Sequence, residues 1–202
     1  MKAATRLLAL GAVLLAALAH AKTPAPAELA ALYARMETVD AVAEGPASAA
    51  DRKSRTLYVF FDANCWYCHL TWKALQHYER AGLQVRWIPV AYQKDSSFGR
   101  AAAIMNAADR AAAMRENETG YRAASYDGAI APAAVSKDLK AQLVTNTMLM
   151  QQMGAPGTPL LVWKDAQGAV RTKVGMPRLS QLPAITGLPR QRIDDPELAD
   201  FR

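Results

Sequence analysis

Apolar residues recur at Leu29, Leu32, Tyr33 and Met36, the three-and-four spacing of one helix face, and predict a helix from Ala27 to Val39. The small, breaker-rich stretch Ala43 to Ala50 reads as a linker. The pattern then changes to an unbroken apolar run, Thr56 to Phe61, which ends at Asp62 and predicts a buried strand. From Cys65 to Ala81 the helical period returns, with Trp72, Leu75 and Tyr78 on one face, His69, Lys73, His77 and Arg80 on another, and Gly82 as the stop. Leu83 to Val90 predicts the next strand and closes a βαβ unit. An alanine-rich segment, Phe98 to Arg115, predicts one helix, Tyr121 to Pro132 is irregular, and Lys137 to Met153 predicts another helix with Leu139, Leu143, Thr147 and Met150 in step. Leu160 to Trp163 and Ala169 to Val174, joined by Asp165-Ala166-Gln167-Gly168, predict a hairpin, and a short helix follows near Ser180 to Ile185. From Pro189 the chain turns polar and is expected to be a disordered tail.

The first residues carry a different pattern. Lys2 and Arg6 precede 13 apolar residues, Leu7 to Ala19, and Ala19-His20-Ala21 offers small residues around a polar one. This is the form of a secretory leader, cut after Ala21, and it is shorter than the roughly 20 residues that span a bilayer. Cleavage leaves 181 residues, enough for one domain with a full core, and lowers the formal net charge from +6 to +4. The expected organisation is a leader over 1–21, a helix and linker over 22–54, an α/β domain over 55–188 with a helical insertion over about 95–153, and a tail over 189–202. No arginine–lysine run with interleaved aromatics is present, so nothing points to nucleic acid.

Export decides how the cysteines are read. The chain has two, in Asn64-Cys65-Trp66-Tyr67-Cys68-His69, where a strand hands over to a helix. Outside the cytosol disulfide chemistry is permitted. A structural disulfide so short would constrain little of the unfolded chain, which favours a redox-active pair. Unpaired N–H groups at the helix start stabilise a thiolate at Cys65, the expected nucleophile, with Cys68 one turn on to resolve the mixed disulfide. His69 is the expected source of added positive charge, tuning the Cys65 pKa downward. Zinc would need about four ligands, and Cys68 and His69, as helix neighbours, face different ways.

Three segments, in order, carry a resemblance. Leu57-Tyr58-Val59-Phe60-Phe61-Asp62-Ala63-Asn64-Cys65-Trp66-Tyr67-Cys68-His69-Leu70-Thr71-Trp72 resembles the active-site segment of the periplasmic disulfide isomerase group, DsbC and DsbG, with DsbG the nearer. Gly157-Thr158-Pro159-Leu160-Leu161-Val162 resembles its cis-proline segment, and Val174-Gly175-Met176-Pro177 the segment after its last strand. The resemblance covers about 55 to 186. It implies an α/β, thioredoxin-like fold with a helical insertion, and thiol-disulfide oxidoreductase activity in the periplasm. It also implies a substrate surface formed by Thr158, Pro159, Trp66 and Tyr67, no cofactor or metal, exported cysteine-containing proteins as partners, and a membrane redox partner. The chain departs from the group in three ways. Only about 30 residues of the expected mature chain precede the thioredoxin-like part, so the N-terminal dimerisation domain has no counterpart and a monomer is expected. Ala63 stands where the group usually has proline. The dipeptide between the cysteines is Trp66-Tyr67, where DsbG has proline and tyrosine. Thioredoxin's buried acid, six residues before the first cysteine, is here Val59, and Asp62, at the strand end, is expected to be screened by water.

Two other classes fit parts of the sequence. Cys65-Trp66-Tyr67-Cys68-His69 also matches the attachment signature of c-type haem, with His69 as axial ligand. A redox-independent chaperone could hold unfolded chains on apolar surface, to which Met148, Met150 and Met153 would add, although such methionines more often lie in a core.

Overall fold

The computed structural model describes residues 24–46 and 56–202. The expected leader, residues 22–23 and 47–54 of the expected helix-and-linker segment, and residue 55 of the expected domain lie outside the described residues. The described chain forms helices α1 (Pro26–Met36), α2 (Trp66–Arg80), α3 (Ser97–Met105), α4 (Arg110–Thr119), α5 (Lys137–Gln152) and α6 (Leu182–Thr186) around strands β1 (Val42–Glu44), β2 (Thr56–Asp62), β3 (Gln84–Val90), β4 (Leu160–Lys164) and β5 (Val170–Val174). The sheet order is β1-β3-β2-β4-β5. Only β2 and β3 run parallel, with Val59 opposite Trp87 and Asp62 opposite Val90, while β1 on β3, β4 on β2 and β5 on β4 are antiparallel.

The central strand is apolar throughout because both its faces are covered. Leu57, Val59 and Phe61 join Val85, Trp87 and Leu161 on the side packed by α2, α3, α4 and α6. Tyr58 and Phe60 join Ile88, Val90, Leu160 and Val162 on the side packed by α1 and the end of α5. Alternation with period two thus divides one strand between two cores. The stripe on α1 is covered by its own domain: Leu32, Tyr33 and Met36 sit with Leu149 and Met150, and Tyr33 meets Tyr58 edge to face at 5.5 Å. Met150 and Met153 are core, whereas Met148 is exposed. No helix among the described residues is long and apolar enough to cross a membrane.

Three expectations are corrected. The stretch beginning at Ala43 is not wholly linker, because Val42–Glu44 pairs with β3 as an edge strand and Val42 and Glu44 are buried. The alanine-rich segment is two helices, because Asp109 accepts the Ala112 N–H at 2.9 Å and caps a new start after the break at Asn106. The tail is ordered. Ile193 and Leu198 enter the core beside α2, a short 3-10 helix forms over Pro196–Phe201, and Lys73 on α2 pairs with Asp195 at 2.7 Å and with Glu197.

Under α2 two acids are buried together. Glu44 accepts the Trp72 indole N–H at 2.9 Å and lies 3.7 Å from Arg115, and Glu79 accepts from Gln76 at 2.9 Å. Burial pushes Glu44 up to about 7 and, with Glu44 adding, pushes Glu79 up to about 8. The folded chain therefore keeps protons that the unfolded chain loses. The stabilising contribution is full below the ordinary carboxyl value of 4.5 and is lost as pH rises through about 7 to 8. Urea unfolding is expected to show stability falling between about pH 5 and about pH 8, and Glu79→Gln is expected to flatten that fall by removing one titrating group.

Candidate functional site

The parallel pair β2–β3 ends at Asp62 and Val90, and the site is built on the loops that leave this edge. Asp62 is fully buried rather than screened by water as expected. Its oxygens accept the N–H groups of Asn64 (2.9 Å), Tyr92 (2.9 Å) and Gln93 (3.1 Å) and the Ser97 hydroxyl (2.8 Å), so four protein donors satisfy the buried carboxylate. Asn64 extends the network to Ser97 Oγ at 3.0 Å and, through its carbonyl, takes the Tyr121 hydroxyl at 2.7 Å. Gly128 brings the irregular 121–132 stretch against this edge. A Cβ there would lie 2.1 Å from Asn117 Oδ1 and 2.4 Å from the Ala63 carbonyl, so only glycine fits.

Cys65 is the N-cap of α2, with extended backbone, and its sulfur accepts the Cys68 N–H at 3.2 Å. The same sulfur lies 3.6 Å from the Thr158 carbonyl, and the Thr158–Pro159 bond is cis. Neither cysteine is bridged. The hydrogen bond with Cys68 lowers the Cys65 thiol below its ordinary value, with Thr158, the Cys68 N–H and Gln93 adding and burial opposing. Burial pushes the Cys68 thiol well above its ordinary range, and Cys65 adds to the effect. Two thiols one turn apart are thereby made unlike: one disposed to ionise, one held protonated.

Of the residues singled out from the sequence, Cys65, Trp66, Tyr67 and Thr158 line one open groove of about 380 Å³, together with Gln93 and Tyr126. Pro159 is buried behind Thr158. Tyr67 is 53% exposed, and its ring meets Phe201 of the tail edge to face at 6.4 Å. His69 is buried with other partners. Its Nδ1 lies 3.2 Å from Glu118 and its Nε2 3.6 Å from Glu197, and its ring stacks against Trp66 at 5.4 Å and Tyr121 at 4.6 Å. The influences on the Cys65 thiol are those of Cys68, Thr158 and Gln93 instead. Among the described residues, no cluster of three or more His, Cys, Asp or Glu side chains could hold a metal ion. Tyr92, Gln93, Tyr121 and Tyr126 escaped the sequence reading. They come from loops whose only local sign was irregularity, and two polar residues shortly after a strand end give no warning that Tyr92 meets Thr158 and that Gln93 lines the groove with Cys65.

A family model described as a thioredoxin-like domain matches residues 43–185. The thiol:disulfide interchange protein DsbG of Pseudomonas aeruginosa is 33% identical over 158 residues, covering 77% of this chain and 59% of that protein. DsbG of Escherichia coli is 30% identical over 132 residues, covering 65% of this chain and 52% of that protein. The chain thus spans between half and three fifths of the length of these relatives. Among solved structures, the catalytic domain of Proteus mirabilis ScsC superposes with a TM-score of 0.60 at 20% identity, covering 80% of this chain and 96% of that one. A periplasmic thioredoxin-like protein from Salmonella enterica serovar Typhimurium gives 0.59 at 17% identity, covering 78% and 94%. These two likenesses show the fold.

Thiolate absorbance of the reduced protein, followed against pH, is expected to show one thiol, Cys65, titrating well below the free-cysteine value of about 8.5. The second thiol, Cys68, is expected to stay protonated to well above it. A Cys65 value at or above that of free cysteine would contradict the N-cap account.

Proposed function

This chain belongs to the thioredoxin-like domain family, and we propose that it is a periplasmic thiol-disulfide oxidoreductase of DsbG-like kind, exchanging disulfides with exported cysteine-containing proteins through Cys65 and Cys68. One observation carries the reading. Cys65, itself only 3% exposed, lines an open groove and is held below its ordinary pKa, while Cys68 does not line that groove and has its pKa raised by burial. In the reductive direction the Cys65 thiolate attacks a substrate disulfide, the Cys65–substrate S–S bond forms, and one substrate thiolate leaves. Cys68 then passes its proton to the released substrate thiolate or to water and attacks Cys65. The Cys65–Cys68 disulfide forms, the second substrate thiolate leaves, and two electrons have passed to the substrate. An external dithiol, supplied in this proposal by a membrane redox partner, restores the pair. The oxidative direction is the same sequence reversed. Thr158, Trp66 and Tyr67 form the substrate surface, the buried Pro159 supports it from behind Thr158, and His69 acts on it through its stack with Trp66 rather than through charge.

The rival readings fit less well. Covalent haem would need both sulfurs and the His69 imidazole on one open face. Cys68 is buried, and the imidazole is stacked between Trp66 and Tyr121 with a buried carboxyl at its Nδ1. A chaperone reading leaves the unequal thiols without a purpose. In exchange with a model disulfide, Cys65→Ser is expected to abolish reaction, and Cys68→Ser to accumulate a mixed disulfide seen as a mass adduct, because attack proceeds and resolution does not. Exchange that survives Cys65→Ser would overturn the assignment.

We also propose that the protein is a monomer. The stripe on α1 that could have paired with a second copy is spent on its own core. Sedimentation is expected to give a single protomer. Reactivation of a scrambled multi-disulfide protein is expected to be slow, since one thiol pair cannot hold a misfolded chain through several exchanges. A stable dimer with strong reactivation would refute this.

A further inference from the structure

Tyr92 and Gln93 follow the end of β3 after Ala91, and both of their N–H groups are tied to one oxygen of Asp62. The tie holds the Tyr92 ring, 43% exposed, against Thr158, which lines the groove. Its phenol oxygen accepts the backbone N–H of Thr158 at 2.8 Å and stands 3.0 Å from Thr158 Oγ1. Gln93 Nε2 donates to the same hydroxyl at 3.1 Å. Gly157 leaves room for the approach: a Cβ on it would lie 3.3 Å from the phenol oxygen, a tight contact.

The two backbone groups of Thr158 are therefore committed differently. Its carbonyl faces the Cys65 sulfur at 3.6 Å, and its N–H is held by Tyr92. Thr158 stands two residues before the start of β4, and its N–H belongs to no strand ladder. It is a main-chain donor beside the nucleophile, on an edge open to the groove. An extended chain that brings a disulfide to Cys65 runs within reach of it, and chains added along such an edge are held largely by main-chain hydrogen bonds. A peptide carbonyl can use this donor at full strength only when the phenol gives it up. The ring is exposed enough to swing into water, where its hydroxyl is solvated.

We propose that Tyr92 is a specificity-determining residue, a built-in occupant of the backbone docking point at Thr158 that polypeptide disulfides must displace and small disulfides need not. The proposal rests on the disulfide-exchange reading above. It makes the site discriminate by backbone: a peptide segment must offer an acceptor good enough to replace the phenol.

The test compares two disulfides with the same aromatic leaving thiolate, one a small symmetrical disulfide and the other carrying that thiolate on the cysteine of an extended peptide. Any change in the reactivity of Cys65 affects both alike and cancels in the ratio of their second-order rate constants. Tyr92→Phe keeps the ring and removes the oxygen. It is expected to raise the peptide-to-small ratio about fivefold, the equivalent of ~1 kcal/mol for one net hydrogen bond. A ratio that is unchanged or falls overturns the proposal, the second result meaning that the phenol helps to hold the peptide. Absence of exchange with either disulfide in the unaltered protein overturns the oxidoreductase reading, and the role of Tyr92 with it.

Discussion

A carboxyl side chain taken wholly out of water must find protein partners for its oxygens, and at Asp62 that requirement organises the working end of the sheet. The four donors that satisfy it come from three places: Asn64, just before the thiol; Tyr92 and Gln93, the loop after β3; and Ser97, the start of α3. Each donor is fixed because the acceptor cannot move and cannot be left unpaired. The loop that presents Cys65, the loop that faces it and the helix behind both are thus positioned by one residue that touches no substrate. Each carboxylate oxygen takes two of these donors, so the loop before Cys65 and α3 share one oxygen while both N–H groups of the loop after β3 share the other.

The same economy explains how much could be read from the chain. The βαβ unit, the hairpin and the cysteine pair at a helix start were legible because they depend on local pattern: an apolar run, a helical period, a turn of small and polar residues. The thiol environment was legible in outline, since a helix N-terminus offers its N–H groups to whatever caps it. What stayed hidden depends on long-range pairing. Glu44 reads as a polar residue in a linker until Trp72 supplies its hydrogen bond. Ile193 and Leu198 are isolated apolar residues in a polar tail until α2 offers them a core, and Lys73 offers Asp195 and Glu197 a cation. The break between α3 and α4 did leave a local sign, Asp109 ahead of an alanine run, which uniform alanine content obscured.

His69 shows how a plausible local inference can point to the wrong neighbour. Its place after Cys68 suggested a positive charge beside the thiols. The helical turn instead directs the ring to the side of α2, where Glu118 and Glu197 face its two nitrogens and Trp66 and Tyr121 stack on it. Burial raises the Glu118 carboxyl above its usual range, and its hydrogen bond and charge interaction with His69 oppose that rise. Tyr121 carries the arrangement back to the site through its hydroxyl on the Asn64 carbonyl. The cluster therefore fixes the wall of the groove at Trp66 and the backbone entering Cys65, and leaves the charge at Cys65 to nearer groups.

Those nearer groups also set the order of events in the exchange proposed for this site. Part of what keeps Cys68 protonated is the charge on Cys65. While Cys65 is a free thiolate, Cys68 cannot ionise readily and does not compete for substrate. When Cys65 enters a mixed disulfide, its charge is gone and its hydrogen bonds to the pair change with it. The electrostatic part of the barrier to ionising Cys68 disappears at the moment when ionisation becomes useful, although burial still resists it. Each interaction that lowers the Cys65 pKa also stabilises the reduced form relative to the disulfide, which makes the oxidised pair more ready to accept electrons. Nucleophile, resolving thiol and redox poise therefore cannot be adjusted one at a time. They follow together from the capping of one helix by one sulfur, with the Thr158 carbonyl at its side and the second thiol sealed beneath it.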